Sequence, residues 1–305
     1  MKKLALLFLL LSSLISFSQL SNKHWIPPLH SRDNSAISDQ YIYMSTNETV
    51  PFQVIATDGN GTPYAGSPFT ISASTPAFFT IGTGQPTKMF LSLSDVNTVV
   101  SGKGVLLQGP KDFYVSFRMR HASHAETIIS KGKPGIGTSF RLGCTINESQ
   151  DNRKNFVASV MATENNTTVR LSDYNTGVIF SSGTGNITAD TQTFTLNAGQ
   201  CVVFSGYSNV TANLTGIIGG LITSDKPVAV NTGNALGGIT NGRADLTLDQ
   251  IVSATQIGTD YIFIEGNGSA AMENPLIVAH EDNTAIFVNG STAAVTTLNA
   301  GQYYL

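Results

Sequence analysis

Along most of its length this chain alternates apolar and polar residues with a period of two. Phe113, Val115 and Phe117 share one face, with Tyr114, Ser116 and Arg118 opposite. Phe194, Leu196 and Ala198 alternate with Thr193, Thr195 and Asn197, and Val169 and Leu171 with Thr168 and Arg170. Successive side chains on a strand point to opposite faces, so such runs are half-buried strands. Asn289-Gly290 follows Ile286-Phe-Val288 and precedes another Thr/Val run. That is a hairpin signal, because Asn and Gly both accept the positive φ of a tight turn. Past the first residues, no long run combines helical spacing with caps. The pattern predicts an all-β chain.

The chain also repeats itself. Thr195-Leu-Asn-Ala-Gly-Gln200 recurs as Thr297-Leu-Asn-Ala-Gly-Gln302, and Glu164-Asn-Asn-Thr-Thr-Val-Arg-Leu171 resembles Glu281-Asp-Asn-Thr-Ala-Ile-Phe-Val288. Upstream, Asp112-Phe-Tyr-Val-Ser-Phe117 parallels Asp260-Tyr-Ile-Phe-Ile-Glu265, and a weaker copy opens at Asp39-Gln-Tyr-Ile-Tyr-Met44. Read from the Asp112 and Asp260 motifs, the copies start about 150 residues apart. That is too long for a propeller blade and fits sandwich-sized units. The expected architecture is a tandem of β-sandwich-like modules, with a propeller-like ring of sheets as the alternative. The expected boundaries are an N-terminal module over 19–110, a second over 111–255, and the start of a further, incomplete module over 256–305. After its Thr-Leu-Asn-Ala-Gly-Gln motif the last module reads only Tyr303-Tyr-Leu305, so residues 260–305 should pack on the preceding module as a partial sheet or be poorly held.

Met1-Lys2-Lys3, an apolar run from Leu4 to Ile15, and Ser16-Phe17-Ser18 have the form of a secretory signal peptide over residues 1–18, which puts the mature start at Gln19. The apolar run is too short to span a bilayer, which takes about 20 residues. A secreted or cell-surface protein is expected, with no membrane insertion once the signal is removed. Charged residues are only 12% and the net charge is −3, which gives no electrostatic reason to expect nucleic acid as a partner.

Two cysteines in an exported chain allow one disulfide, between Cys144 and Cys201. Such a bridge would close a long loop and add about 4 kcal/mol on the chain-entropy model. The other reading is two small buried hydrophobes. Both cysteines are expected on inward faces of one module.

Leu221-Ile-Thr-Ser-Asp-Lys-Pro-Val-Ala-Val-Asn-Thr-Gly-Asn234, followed by Asp249-Gln-Ile-Val252 and Gln256-Ile-Gly-Thr-Asp-Tyr261, resembles the IgGFc-binding protein N-terminal domain family. The resemblance covers roughly residues 110–305. It is similar too to large surface proteins of gliding Bacteroidetes, which often end in a gliding-motility-associated domain exported by type IX secretion; no such domain is present in this sequence. The resemblance implies a secreted or surface binding module. It carries over neither IgG binding, since the family name reflects one mammalian member, nor any catalytic residue. Within its motif, Ser224, Asp225, Lys226 and Pro227 read as a structural turn, because Ser and Asp bond nearby backbone N–H groups and Pro presets φ.

Motifs for chemistry are sparse. His121-Ala-Ser-His124-Ala-Glu126 is the best metal candidate, but residues three apart on a strand face opposite sides. Asp58-Gly-Asn60-Gly-Thr62 has a calcium-loop look without the later bidentate Glu of an EF-hand, and a hairpin loop is the simpler reading. There is no G-x-S-x-G elbow, and the Gly-rich stretches at 102–104 and 131–137 are not phosphate loops. No motif asks for a cofactor. The reading is a non-catalytic binding or adhesion module of a larger protein, with an extracellular protein or glycan as partner. The alternative is a secreted polysaccharide-degrading enzyme or its carbohydrate-binding accessory domain. Exposed aromatics in a cluster would favour glycan, and Tyr41, Tyr43 and Tyr64 leave that open.

Overall fold

The computed structural model describes residues 20–31, 37–121, 124–240, 243–268 and 273–305, so the signal peptide expected over 1–18 lies outside the described residues. The chain is all-β. The first module contains β1 (Ser21–Ile26), β2 (Leu29–His30), β3 (Asp39–Ser45), β4 (Phe52–Thr57), β5 (Phe69–Ile71), β6 (Ala77–Gly82), β7 (Phe90–Leu91), β8 (Val105–His121) and β9 (His124–Ile129). The second contains β10 (Ile136–Arg141), β11 (Asp151–Ala162), β12 (Thr167–Ser172), β13 (Phe180–Ser182), β14 (Gly185–Ile187), β15 (Gln192–Leu196), β16 (Cys201–Ser208), β17 (Leu221–Thr240) and β18 (Arg243–Ile251). Four short strands follow: β19 (Ile277–Val278), β20 (Thr284–Ile286), β21 (Thr296–Leu298) and β22 (Tyr303–Tyr304).

The two large sheets have the same topology. The first runs β5-β4-β8-β3-β6, with β1 and β9 also on β8; the second runs β15-β12-β17-β11-β16, with β10 and β18 also on β17. Strand for strand, β1, β3, β4, β5, β6, β8 and β9 correspond to β10, β11, β12, β15, β16, β17 and β18. In each module one long strand serves both halves of the sandwich. Val105–Gln108 of β8 pair with β1 and β4, and Tyr114–Arg120 of the same strand pair with β3 and β9. Sharing that strand curls each sheet into a nearly closed, barrel-like body around its own core. Ile42, Met44, Val54, Phe113 and Phe117 fill the first, and Phe140, Phe156, Val169, Phe180 and Phe204 the second.

The duplication sets the true repeat. β1 starts at Ser21 and β10 at Ile136, 115 residues on, and the same interval separates Phe52 of β4 from Thr167 of β12. The pairing of Asp112 with Asp260 is therefore out of phase. Asp112–Phe117 lies inside β8, late in its module, and Asp39–Met44 lies in β3, whereas Asp260 follows β18. The better match to Ile257-Gly-Thr259 is Ile136-Gly-Thr138, which opens β10. An acid followed by alternating aromatics is a generic strand pattern, which is why it misled. The boundary at 110 likewise falls inside β8, so the first sheet extends to Ile129. Seven-stranded units of this kind are not propeller blades.

The Glu164/Glu281 and Thr-Leu-Asn-Ala-Gly-Gln repeats are in phase, down to single hydrogen bonds. Thr167 and Thr284 hydroxyls donate to the Glu164 and Glu281 carbonyls, each at 2.8 Å. Gln200 and Gln302 side chains accept from the Asn197 and Asn299 N–H groups, each at 2.8 Å. Val288-Asn-Gly-Ser291 forms the expected tight turn, with Asn289 and Gly290 both at positive φ. In the last unit β19 pairs with β22 and β20 with β21, and Leu276, Val278 and Tyr303 pack against the second core. The β19–β22 pair thus lies on the preceding module, whereas most of residues 281–297 are exposed.

The second module covers the open end of the first. β11 and β16 are buried on both faces. Phe156, Ala158 and Val160 point into their own core, while Val157 and Val203 join the first module's core together with Ala235, Leu246 and Leu248. Uninterrupted apolar runs such as Cys201-Val-Val-Phe204 have this cause, since a strand covered on both sides has no polar face.

The same arrangement separates the cysteines. Cys144 sits in the second module's core, but Cys201 points the other way, into the junction with Trp25, Met161 and Ala229. Both thiols are free and buried, so the bridge allowed by the sequence is not formed. Burial pushes the Cys144 thiol up to about 12 and raises Cys201 as well.

Ser224–Pro227, expected as a turn, is an irregular stretch within β17 rather than a turn between strands. Thr223 pairs with Ser139 and Val228 with Gly137, so four residues of β17 stand opposite Thr138 alone. Here β17 leaves β12, its neighbour up to Ser224, and takes up β11 from Val228 onward. The polar groups hold that crossing. Ser224 Oγ donates to the Lys226 carbonyl at 2.7 Å, and Asp225 accepts the Thr168 N–H at 2.7 Å. Proline has no N–H to leave unpaired, and the Pro227 carbonyl accepts from Thr163.

Candidate aromatic binding face

The outer face of the first sheet carries a cluster of aromatic side chains. Alternation along β3 turns Ile42 and Met44 inward and Tyr41 and Tyr43 outward. On β6 the neighbours Phe78 and Phe79 split the same way, Phe79 into the core and Phe78 out, 60% exposed. Register then brings them together. Tyr43 stands opposite Phe78 on one side and Ser116 on the other, and Tyr41 stands opposite Thr80 and Arg118.

The rings form a shallow platform. Tyr43 and Phe78 stack at 5.4 Å with 23° between planes, and Tyr41 lies 6.2 Å from Tyr43 and 6.4 Å from Phe78. The Arg118 guanidinium lies over the Tyr43 ring, 4.2 Å from its centre, a cation–π contact that holds the charge flat against the sheet. Tyr114 and Ile129 border the patch, both exposed. Arg120, next outward on β8, is paired with Asp39 at 2.6 Å. The basic stretch Arg118–His121 is therefore part aromatic platform and part ion pair. Tyr64 does not belong here; it lies against Phe79 and donates to the Gly104 carbonyl. The signal for Phe78 was in the sequence, as two adjacent phenylalanines on a strand, one of which has to face outward.

The other candidates resolve into structural roles. His121 and His124 face each other across the β8–β9 hairpin. His124 Nδ1 lies 3.2 Å from Asp245, and the Glu126 carboxylate accepts the N–H groups of Thr127 and Leu248. Burial, with Asp249 and Asp245 nearby, raises the Glu126 pKa against those hydrogen bonds. Among the described residues no three metal-ligating side chains come together.

In the Asp58 loop the buried carboxylate is already satisfied. It accepts the N–H groups of Asn60 and Thr62 and the Lys88 ammonium at 2.7 Å. Burial alone would raise the Asp58 pKa, but the Lys88 contact and the two N–H groups outweigh it and hold the carboxyl low. Lys88→Met should therefore cost about 1–3 kcal/mol, read as a lower urea midpoint, because it strips a buried carboxylate of its cation. Recovery of that midpoint on adding calcium would instead make the loop a cation site.

No curated protein and no solved structure matches the chain. A family model described as IgGFc binding protein matches residues 125–305, which takes in all but the first residue of β9, the whole second module and the last four strands. That is more than half of the chain, and the matched segment contains the Ser224–Asn234 motif and both Thr-Leu-Asn-Ala-Gly-Gln loops. The chain belongs to the IgGFc-binding protein family.

Proposed function

We propose that this protein is a secreted or cell-surface module that binds an extracellular protein and serves adhesion, without catalysis of its own. The observation that carries the reading is the Tyr41–Tyr43–Phe78–Arg118 face. Aromatic and arginine side chains dominate the energetics of protein interfaces, and here Phe78 and Arg118 lie exposed with Tyr41 and Tyr43 half-buried beside them on one sheet face. The family's description, a binding protein, supports the same reading.

The test is binding of the purified chain to extracellular surface protein of its own environment, measured by interferometry. Tyr43→Ala and Phe78→Ala should each weaken binding at least tenfold, as loss of a hot-spot side chain does. Both side chains point away from the core, so Trp25 fluorescence should be unchanged in the variants. Equal binding by wild type and both variants discards this face. Binding that survives proteolysis of the surface but is lost on deglycosylation assigns a glycan instead. Release of reducing sugar by the wild-type chain would overturn the non-catalytic reading.

A further inference from the structure

A cleft of about 690 Å³ opens at the end of the second module that faces the last unit, running along β17 and β18 so that Glu126 and Leu248 of the first junction also line it. Cys144, Ile146, Thr247 and Ile251 line it from that module, and Leu276 and Leu305 from the last unit. Its size alone would suit a small molecule. The repeat points elsewhere, because the first module has the same end, and there the occupant is visible.

At the first junction, five outward side chains of the second module close the core of the first. Val157 comes from β11, Val203 from β16, Ala235 from β17, and Leu246 and Leu248 from β18. At the second junction, the counterparts of β11 and β16 are in place. Ala279 donates to the Gln302 carbonyl, as Ala162 does to Gln200, and Gly301 donates to Ala279, as Gly199 does to Ala162. Val278 and Tyr303 thereby take the positions of Met161 and Cys201 and pack on the second core. Among the described residues no strand stands where β17 and β18 stand at the first junction. The cleft is in that place.

We infer that the cleft is an acceptor for an apolar-faced β-hairpin, the counterpart of β17–β18 from a repeat of this same type. The polar groups agree. At the first junction Glu126, two residues before Ile128-Ile-Ser130, accepts the backbone N–H of Leu248 on the incoming β18. At the second, Asp249 stands two residues before Ile251-Val-Ser253 and lines the cleft, its side chain 58% exposed. An incoming strand with the alternation of Leu246 and Leu248 would set its apolar side chains against Ile251 and Ile146 and one N–H against Asp249. Modules then stack head to tail, each sealing the core of the one before it.

The test extends the full chain after Leu305 with a copy of residues 204–256, since Leu305 stands in the place of Val203. Hydrogen exchange is followed at the amides of residues 142–146 and 303–304, with binding of an apolar dye alongside. Exchange at both segments should slow at least tenfold and dye fluorescence should fall. The same extension with the copied Leu246 and Leu248 changed to Asp should do neither. A free peptide of residues 228–252 should give weaker, saturable protection of the same amides. Equal protection by the Asp version overturns the inference, and so does failure of both the tethered and the free hairpin to protect.

Discussion

Gly199→Ala should destabilise the fold by about 3 kcal/mol or more and loosen the first junction before either module unfolds. Gly199 lies in the first Thr-Leu-Asn-Ala-Gly-Gln loop at φ +77°, where a side chain by itself costs about 1–2 kcal/mol. The larger obstacle is steric. A Cβ there would lie 1.9 Å from the carbonyl oxygen of Gly59 in the first module, an approach that only backbone movement can relieve. Around it, Cys201 and Val100 exchange two backbone hydrogen bonds of 2.9 and 3.0 Å, and Gln200 reaches Ser101 at 2.9 Å. Trp25 is the only tryptophan and packs beside Cys201, so its emission reports this junction directly. A lower urea midpoint, a red-shifted Trp25 band and faster labelling of Cys201 are expected together. Gly290→Ala is the control. It also has positive φ, at +72°, but nothing lies within 4 Å of the added Cβ, so only the local strain should remain. Equal losses in the two variants would show that the close approach to Gly59 contributes nothing.

Stability should also fall between pH 6.5 and 4, with His24 as the cause. Its ring is fully buried at the junction. Nε2 lies 3.0 Å from the Ser21 carbonyl and 2.9 Å from that of Phe113, so it carries the proton, and Nδ1 lies 3.0 Å from the Ser130 hydroxyl oxygen. Gln250 continues the network, accepting from Ser130 and Lys131 and donating to the Trp25 carbonyl. Burial lowers the His24 pKa from 6.5 to about 4, partly opposed by the two carbonyls and by Asp112. The unfolded chain then takes up a proton near pH 6.5 that the folded chain refuses until about pH 4. Above 6.5 neither state is protonated at this site and it adds no pH dependence. Below 6.5 stability is lost as pH falls, by about 2 kcal/mol at pH 5 and about 3 kcal/mol near pH 4. Urea unfolding at pH 7 and pH 5 measures it. His24→Gln should be less stable at pH 7 but lose most of the change between the two pH values. The same change in wild type and variant would remove His24 as its source.

Much of the local structure is legible in the sequence because it depends on neighbours a few residues away. Period-two alternation in β3, β8 and β15 follows from side chains pointing to opposite faces. The Thr-Leu-Asn-Ala-Gly-Gln loop repeats its hydrogen bonds because the bonding atoms lie within the motif or a few residues from its partner strand. Asn289-Gly290 turns as its intrinsic φ preference requires.

Other features depend on what lies across a sheet, and only tertiary structure decided them. Cys201 is apolar on both sides in sequence, so nothing local tells which side faces its own core; the covering of β16 by the first module does. Ser224–Pro227 has the residues of a turn, yet β17 runs through it, because β12 and β11 supply pairing partners on either side of the irregular stretch. Phe78 and Tyr43 lie 35 residues apart and meet through the register of β3 with β6. Sequence alone determined that this chain is all-β and that its second and last units share motifs. How each module covers the last, and which aromatic side chains are left outward, was decided by long-range pairing, whose register no short stretch of sequence contains.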